Sequence, residues 1–539
     1  SSLILGAGQY TFGSAPSAQA VTIEIPADYD VSASDVFVMD QGVIQVNGFG
    51  DPIGAHRSIN KNLGRSPNFT AIAHKTYFGQ LPDVRIPVTE IKRFTLNLLA
   101  NVDSIDYTIT IDGDTLKPNS DGIYTPTFGT YIIKASKPGY RCFRTELTIA
   151  DDAEGDQNCI IEMVKAGENG WDGTTLSEAE LKDGVYQISN GAELAWFAAK
   201  VNGGDYTIAA KLVNDIDLCG YDWTPIGGDK SKLAYQGIFE GDGHTVDGLY
   251  IHNEKTYQAL FGYIANSRIS GITVDGEVSA KQYVAGVVAY MGVKSYVDRC
   301  ANKANVTATS TYVGGITGSV SQATTELTNS YNLGDIKGTT NCAGVAGYNH
   351  QNAVIENLFS LGSVAGNKVA ACVGGTTAKN KAKNLIATQE YDIAEGQTTV
   401  TAEQMLSGEI AHLLGEAFGQ QIGTDLHPVL GGEGVYKVTY TTTFSEVSDS
   451  LYTNGLLPQL EMIDNYTSVW KTSVEGEELT EVTADCTLFV EYSEMVADDI
   501  NKVLSDSSET IIYDLLGRRV NGKVNSGIYI INGKKVVIR

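Results

Sequence analysis

Between Ile269 and Gly375 the apolar positions fall into a repeating frame. Four ten-residue segments, Ile269–Val278, Val297–Val306, Leu327–Ile336 and Ile355–Val364, each begin and end on an aliphatic residue. Each carries a small residue at its eighth place: Gly276, Ala304, Gly334 and Gly362. Their starts lie 28, 30 and 28 residues apart. A second signature, ending in Gly286, Gly315, Gly344 and Gly375, follows each segment. A fixed period of this size marks units that bury their apolar faces only by stacking on neighbours. Short strands, small-residue turns at constant offsets and no 3.6-residue stripe predict coils of a parallel β-helix. Two ladders are then expected inside, Ile269/Val297/Leu327/Ile355 and Val278/Val306/Ile336/Val364.

Outside this array the pattern is also mostly β. Residues 1–96 alternate apolar and polar in short runs such as Val21–Ile25 and Val36–Met39, as strands of an N-terminal β domain would. A Gly-, Asn- and Pro-rich stretch from Asn47 to Asn68 reads as a long loop. Residues 97–165 form a tidier unit of strands and turns. Helical signals are few. Asn190 and Glu193 frame a capping-box-like start before an amphipathic run from Leu194 to Val201, expected to cover the first coil. Thr401 and Gln404 frame another, opening a helix over Met405–Leu414 expected to close the far end. Residues 493–509 are polar and acidic, as in a linker. The chain begins at Ser1 with no Met or basic lead-in, as expected of a processed or truncated product.

Several motifs resemble known families. Residues 313–338 and 342–366 resemble the GLUG repeat, with the first and last copies departing from it. The resemblance implies a large bacterial surface or adhesin-like protein. Residues 97–165, with Asp112–Gly113, Thr125–Pro126 and the run from Gly129 to Tyr140, resemble a PEGA or carboxypeptidase-regulatory β-sandwich. Residues 435–492, ending on Val482–Tyr492, resemble the Listeria–Bacteroides repeat, a β-grasp-like module. The segment 510–539 resembles the C-terminal sorting domain of type IX secretion cargo. That implies export across the outer membrane of a Gram-negative bacterium, with the tag commonly clipped. The implied order is an N-terminal β domain (1–96), a β-sandwich (97–165), a GLUG β-helix with capping helices (166–434), a β-grasp-like module (435–492), a linker (493–509) and a sorting domain (510–539).

Charge narrows the partners. With 38 Lys+Arg against 64 Asp+Glu, the net charge of −26 argues against nucleic acid. No apolar run is long enough for a membrane-spanning helix. The seven cysteines show no CxxC pair, so no zinc site is expected. Cys300, Cys342 and Cys372 occupy repeat positions and read as small buried residues. Cys142 and Cys159 fall in neighbouring strands of one module and form a candidate disulfide pair.

No catalytic motif emerges. The seven histidines have no metal-ligand spacing, and no nucleophile elbow or P-loop is present. β-Helices can host polysaccharide lyases and hydrolases, so Asp215, Asp217, Asp222, Glu240, Asp242 and Asp247 stand as alternatives to simple turn residues. Asp112, Asp114, Asp151 and Asp152 lack the spacing of a calcium loop. Tyr283, Tyr290, Tyr296, Tyr312, Tyr331 and Tyr348 recur on the coils. They are either corner packing or an outward platform, and Tyr283, Tyr290, Tyr312, Tyr331 and Tyr348 are the candidate binding residues. The expectation is a non-catalytic secreted or cell-surface protein, with no cofactor or metal, that meets a host or bacterial surface protein or glycan. The alternatives are a carbohydrate-active enzyme and a dedicated glycan-binding module.

Overall fold

The structure is a computed structural model. It describes residues 93–494 except 151, 230, 322–323, 351–352, 376–381, 392–396, 460–462 and 464–465. Outside that span it describes only the strands Ser2–Ile4, Gln9–Phe12, Val21–Glu24, Val36–Met39, Ile44–Val46, Ile512–Asp514, Gly527–Ile531 and Lys534–Ile538, and residue 520. The loop expected from Asn47 to Asn68 and residues 495–509 of the expected linker lie outside the described residues. The fold is mainly β: a parallel β-solenoid with smaller flanking sheets. The chain divides into two compact units, residues 1–226 with 244–252 and 274–277, and the remainder.

The first unit contains the small sandwich. A four-stranded antiparallel sheet has the order Phe143–Ile149, Gly129–Ser136, Asp106–Ile111, Asp114–Leu116. A second sheet pairs Gln157–Ile161 in parallel with Leu96–Ala100. Alternation sends Ile109, Tyr131, Ile133, Ile149, Cys159 and Ile161 into one core, which already includes Phe94. Asp112 and Gly113 take positive φ in the tight turn between two strands, which is the turn reading of that acidic pair. All seven cysteines are free. The suggested Cys142–Cys159 bridge is not formed: Cys159 is buried in the sandwich core on Gln157–Ile161, whereas Cys142 lies just before the strand Phe143–Ile149 and donates its amide to Cys219 O. Helix α1, Gly191–Asn202, is capped by the Asn190 side chain on Glu193 N, while Glu193 accepts from Ser189 rather than from Asn190. It buries Leu194, Phe197 and Val201.

The second unit holds the regular coils. The first expected ladder is present and longer than the sequence suggested: Phe239, Ile269, Val297, Leu327, Ile355 and Ala382 align one above another. The second aligns Val306, Ile336 and Val364, with Val278 equally buried. Each fully buried Val, Leu or Ile contributes roughly 1.5–3 kcal/mol, so the ladders dominate the coil core. Burial pushes the Cys300 and Cys372 thiols up to about 12 and Cys342 up to about 11, the behaviour of small apolar fillers.

The polar part of the repeat also has a mechanical reading. Asn302 and Asn332 point inward, fully buried, and Asn302 donates to Asn332 Oδ1 at 2.7 Å. Asn332 in turn donates to Gly334 O and Ser360 Oγ. Space for these amides comes from the second signature. A Cβ on Gly315 would stand 2.2 Å from Asn332 Oδ1. The glycine and the asparagine are therefore one device written in two places. At the opposite turn, Arg299, Asn329, Asn357 and Asn384 all adopt left-handed φ, and the asparagine amides form an outer ladder at 2.8–2.9 Å.

After the coils the capping box at Thr401 forms as expected, but two helices replace one: α2, Ala402–Leu406, and α3, Glu409–Leu414. Gly408, with φ of 89°, separates them. The module that follows is a four-stranded sheet ordered Ser445–Thr453, Tyr436–Thr442, Cys486–Glu494, Tyr466–Lys471, its two central strands parallel. Trp470, Val438 and Val490 lie in its core. The C-terminal strands pair as an antiparallel sheet of three.

Candidate functional site

The acidic residues near the first coils have partners that do not come from the coils. Arg141 of the sandwich spans Asp217 at 2.8 Å and Asp247 at 2.5 Å. Arg144 pairs with Asp222 at 3.0 Å, donates to Gly220 O, and lies 3.5 Å from the Tyr250 ring centroid. Lys134 pairs with Asp222 as well. Tyr221 Oη reaches the carbonyls of Lys137 and Tyr140. The basic partners of these acids are thus supplied about 80–100 positions upstream, on strands and turns of the sandwich. Asp215 belongs elsewhere: it accepts from Thr245 N and pairs with His244, and those contacts hold its carboxyl below the usual range. Asp242 occupies a left-handed turn position beside Gly243. No group of three or more His, Cys, Asp or Glu able to hold a metal occurs among the described residues.

The tyrosines of the second unit separate into two populations. Register places Tyr257, Tyr283, Tyr312, Asn341 and Lys368 in one column at a coil corner. Tyr257 and Tyr283 stack at 4.7 Å and 4°, Tyr283 and Tyr312 at 4.9 Å and 14°. These spacings are the distance between adjacent strands. A second row, Tyr263, Tyr290, Ser319 and Tyr348, runs beside it. Tyr290 meets Tyr257 and Tyr283 edge-to-face at 83° and 87°, and Tyr263 lies 4.6 Å from Tyr290. Tyr348 and His350 extend the group beside Tyr312. All these rings are half-buried. Burial pushes the Tyr263 and Tyr283 phenols up to about 12. It lowers His350, whose Nε2 is buried without a hydrogen-bond partner, so the imidazole is neutral at pH 7.

Tyr257, Tyr283 and Tyr312 all have positive φ, between 54° and 68°. Bulky residues there are outliers, and each costs about 1–2 kcal/mol where asparagine or glycine would not. The stacked, tilted and edge-to-face pairs of these three rings return about 0.5–1.5 kcal/mol each, enough together to offset that strain. The corner opposite uses asparagine for the same backbone. The tyrosine corner thus holds its strain by ring packing, and strain of this kind concentrates at functional sites.

Tyr331 is not part of this face. It is buried, stacked on Phe359 at 4.6 Å and 3°, and closed over by Met405, Ile410, Leu414 and Phe418, with His427 at 5.6 Å. The helices expected to close the end of the solenoid pack against this outward column. Tyr296 lies on a different strand, Tyr296–Asp298, half-buried. Sequence reading missed Tyr257 and Tyr263 because their coil lacks the repeat's polar core. The signal was available in the apolar half: Tyr257 to Tyr263 aligns with Tyr283 to Tyr290.

No family model matches the chain, and no curated protein matches it. Among solved structures it is similar to one titled a "putative immunoglobulin A1 protease" from Bacteroides ovatus, at 18% identity and a TM-score of 0.36, covering 47% of this chain and 95% of that one. A likeness at that score carries no weight for function.

Proposed function

We propose that this β-solenoid repeat protein is a non-catalytic, secreted or cell-surface adhesin-like protein. Its coils serve as a stiff stalk and a binding surface, and the C-terminal segment resembling a type IX sorting domain accounts for its export. The observation that carries this reading is the commitment of the coil carboxylates. Asp217, Asp222 and Asp247 hold the sandwich through Arg141, Arg144 and Lys134. A glycosidase or lyase needs carboxylates or bases converging on an open substrate cleft; these groups neutralise one another instead.

The test is turnover. Purified protein incubated with a broad polysaccharide panel is expected to release neither reducing ends nor unsaturated products. Catalysis on any member, abolished by Asp217→Asn, would replace this reading with that of a carbohydrate-active enzyme.

A further inference from the structure

We propose that the two-row tyrosine face of the second unit is a binding track for a neutral polysaccharide chain running along the coil axis. The proposal rests on the reading above and gives that binding surface its ligand class. Three features of the face point to this occupant. The first is its charge. On a chain of net charge −26, the track is lined mainly by phenols, a neutral imidazole and the flanking Thr256, Gln282 and Thr311, with the Asp229 carboxylate acting on Tyr257 and Lys368 ending the corner column. An anionic polymer would be repelled by the surrounding protein.

The second feature is ring orientation. Tyr257, Tyr283 and Tyr312 stack face on face along the axis, so their edges and hydroxyls are what they can offer a ligand. Tyr290 is turned through nearly a right angle, so its ring faces lie parallel to the axis. A sugar needs both: a flat aromatic face for its C–H side, and hydroxyls for its equatorial edge.

The third is periodicity. Phenols recur on three successive coils at 4.7–4.9 Å, a repeat that an extended glycan can follow over a few sugar residues. The equivalent outward column at Tyr331 and Phe359 is covered by the chain itself, whereas no described segment covers the Tyr283 column.

The solenoid supplies its own test substitutions. Asn341 follows Tyr312 in the corner column, and Ser319 follows Tyr290 in the second row. Tyr283→Asn and Tyr290→Ser therefore install residues that the coils already accept in those places. Affinity electrophoresis would be run in native gels containing galactomannan, glucomannan or mixed-linkage β-glucan, with polygalacturonate as the acidic control. Wild type is expected to be retarded by at least one neutral polymer. The double variant Tyr283→Asn/Tyr290→Ser should lose about tenfold in affinity, the scale of a central aromatic contact, and still unfold in one cooperative melt. Should it unfold, Tyr283→Phe/Tyr290→Phe keeps the rings and removes two hydroxyls, and is expected to weaken retention about threefold. Unretarded wild type in every neutral gel overturns the proposal. So does retardation by polygalacturonate alone, or full retention by a folded variant. Shortening of the retained polymer would remove the non-catalytic reading and leave the track standing.

Discussion

Two aromatic columns run along successive stretches of one solenoid and are finished in opposite ways. Tyr331 and Phe359 stack at 4.6 Å, Tyr257 and Tyr283 at 4.7 Å, both nearly parallel. Stacking geometry alone does not tell them apart. Backbone and cover do. The Tyr331 column sits in ordinary strand and disappears beneath α2, α3 and Phe418. The Tyr283 column sits at a left-handed corner and stays half-exposed. One column is the solenoid's attachment point for its own helical segment. The other has the same chemistry, sits at a strained corner and has no described cover. Identical repeats can thus divide labour between holding the protein together and meeting something else.

The comparison can be broken at its common foundation. Val306→Asp puts an unpaired charge into the interior ladder beneath both columns and should cost at least about 3–5 kcal/mol, unfolding the array. A melt within a couple of degrees of wild type would contradict the register. Next in size is Tyr331→Ala, which removes a buried ring from the covered column; about 3–5 kcal/mol is expected in urea unfolding, with no change in polysaccharide retention. In the open column the cost should be smaller. Tyr283→Asn relieves a left-handed tyrosine and loses two stacked contacts and one edge-to-face contact, so its net cost should stay below about 3 kcal/mol. A loss as large as that of Tyr331→Ala would show that the open column is structural after all.

The smallest effect concerns alkaline pH. Burial raises the phenols of Tyr263 and Tyr283 to about 12, above their unfolded value near 10. A raised folded pKa gives stability that is intact below the unfolded value and is lost as pH rises through the folded one. Thermal stability should therefore decline between about pH 10 and 12, and Tyr283→Asn should make that decline shallower. An unchanged slope in the variant would separate Tyr283 from the titration.

Much of this was legible before any coordinates. The 28–30 residue period gave the coils, and the ladder Ile269/Val297/Leu327/Ile355 holds position for position. The capping box at Thr401 was readable because its partners lie three residues apart. The glycine of the second signature was visible but unexplained. Its reason, the Asn332 amide, lies 17 residues on in sequence and 2.2 Å away in space. Tyr331 looked like its neighbours Tyr312 and Tyr348, since nothing local announces that residues near 405–418 will fold back over it. Asp217 and Asp247 looked unpaired because Arg141 is more than 70 residues distant.

By itself, then, the sequence determined what repeats at short range: strand alternation, coil period, ladder register and the local caps. Those depend on spacings that a few residues define, because pleat and turn geometry are fixed by the backbone. Tertiary structure decided which outward residues became interior, which acids became clasps for the sandwich, and which tyrosines remained open. Those outcomes depend on what distant segments bury, and burial is a property of the packed chain that no local pattern contains.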